Sequence, residues 1–192
     1  NTEFFSAIRG TSHTQCYPVL NINKACSPLY QEKQPFFVLV PTASLNLKMW
    51  STDNFAELAE KIFQKTSWQG IICGTEEEFI IGDRIRHQCS APLKNMSGQT
   101  SLPELSQLLS QSQLIISNDT GTAHISSAVG TPTVCILGGG HFGRFAPYPD
   151  LPGQTNYFNT VYHKMACYGC NWECVYHLKK DEPAPCVSNI SV

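Results

Sequence analysis

The sequence predicts an α/β fold in which a parallel β-sheet is covered by helices on both faces. Short, continuously apolar segments alternate along the chain with longer segments whose apolar residues recur at helical spacing. Strands that are apolar on both faces are typical of a parallel sheet, because helices cover both of its sides. Helix caps and turn residues separate the segments, which supports the alternation of strands and helices.

The first half of the pattern contains three strands and two helices. Residues 36–40 are Phe-Phe-Val-Leu-Val and predict a buried strand that Pro41 ends. The cap-rich segment 51–54 predicts the start of a helix that runs through Lys65. A strand at 70–74, a helix from 76 to about 87 and a brief strand at 94–96 follow.

The second half begins with a helix, because Ser101 and Glu104 have the spacing of a capping box. A strand at 114–117, a short helix at 122–129 and a strand at 133–137 complete the pattern, which stops near residue 145. Right-handed connections between such parallel strands produce a Rossmann-like sheet.

The chain divides into three predicted parts. Residues 1–34 lack a clear period and are interpreted as a linker or the end of a preceding domain. Residues 35–160 form the Rossmann-like domain, and residues 161–192 form a cysteine-rich segment with the C-terminal tail. The first residues are neither an initiator methionine nor a signal peptide, so we expect a fragment or a processed product.

Composition argues against two classes of function. The 192 residues include 13 basic and 15 acidic side chains, which gives a net charge of −2. A protein that binds nucleic acid by neutralising phosphates is more basic and has clustered lysine and arginine. No apolar stretch approaches the roughly 18 residues of a membrane-spanning helix. We therefore expect neither a nucleic-acid partner nor a transmembrane segment.

The candidate binding site lies at the carboxyl ends of the strands, where open parallel sheets bind ligands. Segment 118–124, Asn-Asp-Thr-Gly-Thr-Ala-His, joins a strand directly to a short helix. The amides of residues 120–122 would begin that helix and could bind an anion. Asp119 could accept hydrogen bonds from sugar hydroxyls, and His124 lies one turn further on. The alternative is that Asp119 only caps the helix.

Two more polar residues follow predicted strands. Lys48 ends the loop after the first strand and could pair with a phosphate, although a lone lysine is more often solvated. Glu76 follows the second strand and could bind ribose hydroxyls, but beside two further glutamates it could equally interact with the helix dipole. The sequence contains neither the glycine fingerprint of NAD-binding folds nor a P-loop.

Several motifs resemble one family. Segment 118–124, followed by Ala-Val-Gly-Thr-Pro-Thr at 128–133, looks like the signature of the ADP-heptose:lipopolysaccharide heptosyltransferases, glycosyltransferase family 9. Lys48-Met49-Trp50 is similar to their Lys-x-Trp segment, and residues 98–105 resemble the stretch before their signature. The motifs follow the order of the family, and the resemblance runs from about residue 36 to residue 190.

The resemblance implies the C-terminal, donor-binding half of a GT-B glycosyltransferase, whose N-terminal domain would bind the acceptor and supply the catalytic base. It implies inverting transfer of a sugar, most simply heptose from ADP-heptose, to a lipid A-core, another glycan or a protein. No cofactor is implied for the chemistry, and the expected location is the cytoplasm, peripherally at the inner membrane. By the resemblance, the residues that would bind the donor are Ser44, Lys48, Glu76, Thr100, Asp119, Thr120, Gly121 and His124.

The chain departs from the family after the last predicted strand, where the family often has Gly-Pro-Thr-Asp. Residues 138–145 are Gly-Gly-Gly-His-Phe-Gly-Arg-Phe instead. Gly139 and Gly140 could cradle a phosphate, and Arg144 or His141 could reach it, which would add the two glycines and Arg144 to the donor site. The alternative is a glycine-rich connection whose aromatic side chains pack. The difference leaves heptose, and adenine with it, open as the donor's sugar and base.

Four of the nine cysteines suggest a metal site. Four thiolates that begin with Cys-x-x-Cys suit a tetrahedral Zn²⁺ or Fe ion, and some family members hold iron with cysteines here. The alternatives are two disulfides or four free thiols. Trp172 lies among these cysteines and is expected in the core or at a domain interface. The four cysteines are Cys167, Cys170, Cys174 and Cys186.

Two other functional hypotheses remain open from the sequence. One is an epimerase-like enzyme of GT-B fold that acts on nucleotide sugars. The other is a non-catalytic assembly module that a metal staples together.

Overall fold

The computed structural model describes residues 16–22, 34–179 and 181–192. Six parallel strands form one sheet in the order β3-β2-β1-β4-β5-β6. The strands are β1 (Phe36–Val40), β2 (Gln69–Ile72), β3 (Leu93–Asn95), β4 (Leu114–Asn118), β5 (Thr133–Ile136) and β6 (Phe158–Val161). The helices are α1 (Thr52–Thr66), α2 (Phe79–Gln88), α3 (Leu102–Gln111), α4 (Gly121–Ala128) and α5 (Pro185–Ser188). The predicted Rossmann-like fold is confirmed.

Burial on both faces explains why the predicted strands formed. All five residues of β1 are buried. On one face of the sheet Phe37 lies in a core cluster with Phe55 of α1, and on the other face Val38 lies in a cluster with Leu109 of α3. Successive side chains of a strand point to opposite faces, so a strand between two helical layers is apolar throughout.

Helix starts follow the local signals in the sequence. Ser51 Oγ accepts a hydrogen bond from the amide of Asn54 at 3.1 Å, which caps α1. The amide of Ser101 donates to Glu104 Oε2 at 2.7 Å, and the predicted capping box is confirmed. Helix α2 begins at Phe79, later than predicted, because the chain first turns where the amide of Thr75 donates to a Glu78 carboxylate oxygen.

The sequence did not predict β6. Only Phe158 of its four residues is buried, because β6 is at the edge of the sheet and is covered less completely than the central strands. An edge strand of this kind has no continuous apolar run, so the signal that revealed the other strands is missing.

The described part of the predicted linker, residues 16–22, has no regular secondary structure but is hydrogen-bonded to the domain. Tyr17 Oη donates to the carbonyl of Pro149 at 2.8 Å and accepts from the amide of Leu151 at 3.0 Å. The amide of Leu20 donates to the carbonyl of Ala128 at 2.7 Å. Most of residues 1–34 lies outside the described residues, and the division of the chain into three parts stays a prediction.

The strand order identifies one place in the sheet where the connections reverse direction. From β1 the chain proceeds outward to β2 and β3, and it then returns to β4 on the other side of β1. The loops after β1 and β4 therefore leave in opposite directions and open a crevice at the carboxyl ends of these strands. Separately, no helix among the described residues is long and apolar enough to cross a membrane.

The contact of Gly70 in β2 gives a test of this packing. A Cβ there would overlap Leu93 Cδ2 and lie 2.7 Å from Phe37 Cζ. We expect Gly70→Ala to lower the free energy of unfolding by about 1–3 kcal/mol through overpacking. Urea denaturation measures this. Gly121→Ala is the matched control. Nothing lies within 4 Å of its Cβ position, so this substitution should leave the free energy of unfolding unchanged. Equal stability of the two variants would contradict this packing.

Candidate functional site

An ion pair lies at the crevice. Lys48 ends a 3₁₀ turn, Asn46–Lys48, in the loop after β1, and Asp119 directly follows β4. Lys48 Nζ is 2.9 Å from Asp119 Oδ2, and the two side chains are only 13% and 8% exposed. The predicted alternatives were a solvated lysine and an aspartate that caps the helix. Neither describes the structure, because the two residues bind each other across the crevice.

Asn118 fixes the loop that presents Lys48. Its side chain is fully buried, its Oδ1 accepts from the amide of Trp50 at 3.1 Å, and its Nδ2 donates to the carbonyl of Pro41 at 2.7 Å. Trp50 Nε1 in turn donates to the carbonyl of Ile190 at 2.7 Å. Both ends of the loop are therefore bound to the last residue of β4. We did not select Asn118 from the sequence, although a carboxamide at the end of an apolar strand was a usable signal.

Helix α4 begins beside the ion pair. Thr120 is its N-cap residue, with an extended backbone, and Gly121 is the exposed first residue. Among the described residues no side chain caps this helix, so its first amides have no side-chain partner. Free amides and the helix dipole favour an anion at this end of a helix.

His124, one turn into α4, is held by aromatic residues. Its Nδ1 lies 2.7 Å from Tyr148 Oη, and its ring stacks on those of Phe158 and Tyr148. Burial lowers the pKa of His124, the charge of Asp119 raises it, and the charge of Lys48 lowers it further, with a net decrease. His124 is therefore neutral at pH 7. Tyr148 was not selected from the sequence, because it lies in an irregular segment.

Three more predicted residues lie at strand ends, Ser44 in the same loop as Lys48 and the other two after neighbouring strands. Ser44 and Glu76 are exposed in the loops after β1 and β2, and Thr100 is half-buried after β3. Glu76 lies against Gly98, whose φ of 75° only glycine adopts easily. The structure thus brings together Lys48, Asp119 and the start of α4, and leaves these three residues around them.

The glycine-rich segment after β5 lies under the cysteine-rich segment. A Cβ at Gly139 would lie 2.5 Å from Tyr168 Cε1, and a Cβ at Gly140 would lie 2.5 Å from Trp172 Cε2. The carbonyl of Gly140 also accepts from the amide of Asn171 at 3.0 Å. These contacts explain why both positions are glycine, because the aromatic rings pack too closely against the backbone to leave room for a side chain. Arg144 is exposed and lies over the Phe145 ring.

The structure does not support the predicted metal site. Cys167, Cys170, Cys174 and Cys186 are free thiols that line one pocket, but no three of the described His, Cys, Asp and Glu side chains form a group that could hold a metal ion. Tyr168, Met165 and Trp172 line the same pocket, and the amide of Gly139 donates to Cys186 Sγ at 3.3 Å. Thiols are therefore suitable metal ligands by their chemistry, but the arrangement of these four thiols does not form a metal site.

A sequence model of glycosyltransferase family 9 (heptosyltransferase) matches residues 9–171. The chain belongs to this family. It is 31% identical over 116 residues to the lipopolysaccharide core heptosyltransferase OpsX of Haemophilus influenzae, a match that covers 59% of this chain and 33% of that protein. It is 25% identical over 138 residues to lipopolysaccharide heptosyltransferase 2 of Escherichia coli, a match that covers 69% of this chain and 39% of that protein. The chain thus spans about a third of the length of the curated relatives it matches.

Solved structures show the same fold. E. coli ADP-heptose lps heptosyltransferase II matches with a TM-score of 0.63 at 19% identity, over 84% of this family 9 chain and 44% of that protein. The E. coli heptosyltransferase WaaC, solved with ADP-2-deoxy-2-fluoro heptose, matches with a TM-score of 0.58 at 15% identity. The match covers 83% of this chain and 47% of WaaC. The iron-containing dodecameric heptosyltransferase TibC matches with a TM-score of 0.53 at 17% identity. The match covers 76% of this chain and 36% of TibC. At these identities the likeness concerns the fold.

The lowered pKa of His124 makes stability depend on pH. The unfolded chain, with an ordinary histidine pKa of about 6.5, binds the proton more readily than the folded chain. The stability from neutral His124 is therefore present above about pH 6.5 and lost as the pH falls below it. We expect His124→Gln, which stays neutral, to lose less stability between pH 8 and pH 5.5 than the wild type, measured by urea denaturation. Parallel pH profiles would contradict a neutral His124.

Proposed function

We propose that the chain is the donor-binding domain of an inverting glycosyltransferase that transfers heptose from ADP-heptose to a lipopolysaccharide acceptor. The observation on which this depends is the Lys48–Asp119 pair beside the open start of α4, at the crevice between β1 and β4. Membership of family 9 and relatives that are named lipopolysaccharide heptosyltransferases support it. We place the protein in the cytoplasm, at the inner membrane.

The diphosphate of the donor binds between Lys48 and the first amides of α4. Lys48 supplies a charged donor, and the amides of Gly121 and Thr122 supply neutral donors with the positive end of the helix dipole. Lys48 has three N–H groups, of which one donates to Asp119 Oδ2 at 2.9 Å and a second to the Asp119 carbonyl at 3.5 Å, so one donor remains for a phosphate oxygen. Ser44 lies in the same loop as Lys48 and adds a hydroxyl to this side of the crevice.

The rest of the donor extends from this point in two directions. Glu76 binds the ribose and Thr100 lines the base pocket, at the ends of the neighbouring strands. Asp119 and His124 bind hydroxyls of the donor sugar. A neutral His124 suits this role, because it does not compete with Lys48 for the phosphates.

Catalysis in this half of the protein is electrostatic. As the bond between the sugar and the diphosphate breaks, negative charge grows on the leaving diphosphate, and Lys48 with the α4 amides stabilises it. The acceptor hydroxyl attacks the sugar carbon from the opposite face, and its proton passes to a base of the N-terminal domain. The division of labour predicts nucleotide binding without transfer by this chain alone.

Lys48→Ala is the test of the site. We expect it to weaken the binding of ADP by about 10- to 100-fold, because a charged hydrogen bond to the diphosphate is lost. Isothermal titration calorimetry with the 192-residue chain measures the dissociation constant. Lys61→Ala is the matched control and should leave affinity unchanged, because Lys61 is exposed on α1 in a pair with Glu57.

Unchanged ADP affinity in a folded Lys48→Ala variant would refute the assigned role of Lys48. GDP and UDP in the same titration test the base, and ADP-heptose against ADP tests the sugar. A preference for another base, or no gain from heptose, would reject ADP-heptose as the donor.

A further inference from the structure

Trp172 is, with Asp119, a second contact of the Lys48 ammonium. Lys48 Nζ is 5.1 Å from the centroid of the indole ring, within the range of a cation–π contact. The same ammonium is 2.9 Å from Asp119 Oδ2. The ammonium therefore contacts both a carboxylate that follows β4 and an aromatic ring from the cysteine-rich segment.

Several features of the chain combine to place this ring. Gly138 and Gly140 leave room for it, since a Cβ at either position would lie 2.5 Å from an indole carbon. Asn171 and Trp172 both have left-handed backbones, with φ of 54° and 67°, a conformation that is unfavourable for residues with a side chain. The strained turn is held because Asn171 Oδ1 lies 2.7 Å from His141 Nε2 and its amide donates to the carbonyl of Gly140.

Packing alone does not explain a tryptophan at this position. Trp172 is only 9% exposed, and among the described residues its Nε1 has no hydrogen-bond partner. A buried N–H without a partner is unfavourable, and a phenylalanine or leucine would fill apolar space without it. What the indole adds is the most negative aromatic face available to a cation.

We propose that Trp172 is a positioning residue that holds the Lys48 ammonium for the diphosphate of the nucleotide donor. The inference rests on the proposed function and adds to it a residue from the cysteine-rich segment. An indole face attracts the ammonium without cancelling its charge, whereas a second carboxylate in the same place would repel the diphosphate. Lys48 is thereby ordered before the donor arrives, and less side-chain freedom is lost on binding.

The first test is a double-mutant cycle on ADP binding to the 192-residue chain. We expect Trp172→Leu to weaken ADP binding by about three- to tenfold, and Trp172→Phe, which keeps a weaker aromatic face, by less. In a Lys48→Ala background the same substitutions should have no effect, because the residue on which Trp172 acts is gone. A loss of the same size in both backgrounds would show a purely structural role and would overturn the proposal.

The second test keeps the shape of the ring and so avoids a folding defect. Incorporation of tryptophans with one, two and three fluorine atoms withdraws charge from the ring face stepwise. ADP affinity should fall in the same order in the wild type and stay constant in Trp172→Phe, which controls for Trp50 and Trp68. A flat series in a wild type that binds ADP would overturn this inference alone. Failure of the unmodified wild type to bind ADP would overturn the proposed function and this inference with it.

Discussion

The ion pair between Lys48 and Asp119 is the interaction on which the rest of the site depends. It joins the loop after β1 to the loop after β4, across the point where the strand order reverses. Both side chains are nearly buried. The free-energy cost of removing the two charges from water offsets much of their mutual attraction, so the pair is weak evidence for a contribution to stability. Its importance is geometric, because it places a cation beside the free amides of α4.

Elements far apart in the sequence support this pair. Asn118 binds both ends of the loop that contains Lys48, and Trp50 connects the same loop to the carbonyl of Ile190 near the end of the chain. Trp172 also contacts Lys48, from the cysteine-rich segment that packs over the glycines after β5. The residues after β6 therefore contribute to the crevice as well as covering the sheet. A structural change in the cysteine-rich segment would therefore alter the position of Lys48 through its contact with Trp172.

The sequence did not reveal strand β6, and it predicted a metal site that the structure does not support. The two results have a common physical origin. The edge strand β6 is only partly buried, so it lacks the apolar run by which the central strands were found. Cys167 and Cys170 have the spacing of metal ligands, but spacing does not determine where a thiol without a helix or strand around it will lie. In the structure Tyr168 and Met165 line the same pocket as the thiols. Both features depend on what packs against the segment, which a short sequence motif does not record.

Strands β1 to β5, helices α1 to α4, the caps of α1 and α3 and the motifs that place the chain in family 9 could all be identified from the sequence alone. These features are local, because burial on two faces, helical spacing and capping each leave a pattern within a few residues. The fold had to be known to see that Lys48 pairs with Asp119, 71 positions away, that Asn118 fixes the lysine loop, and that Trp172 contacts the same ammonium. Such contacts depend on strand order and on the path of irregular segments, which neighbouring residues in the sequence do not determine.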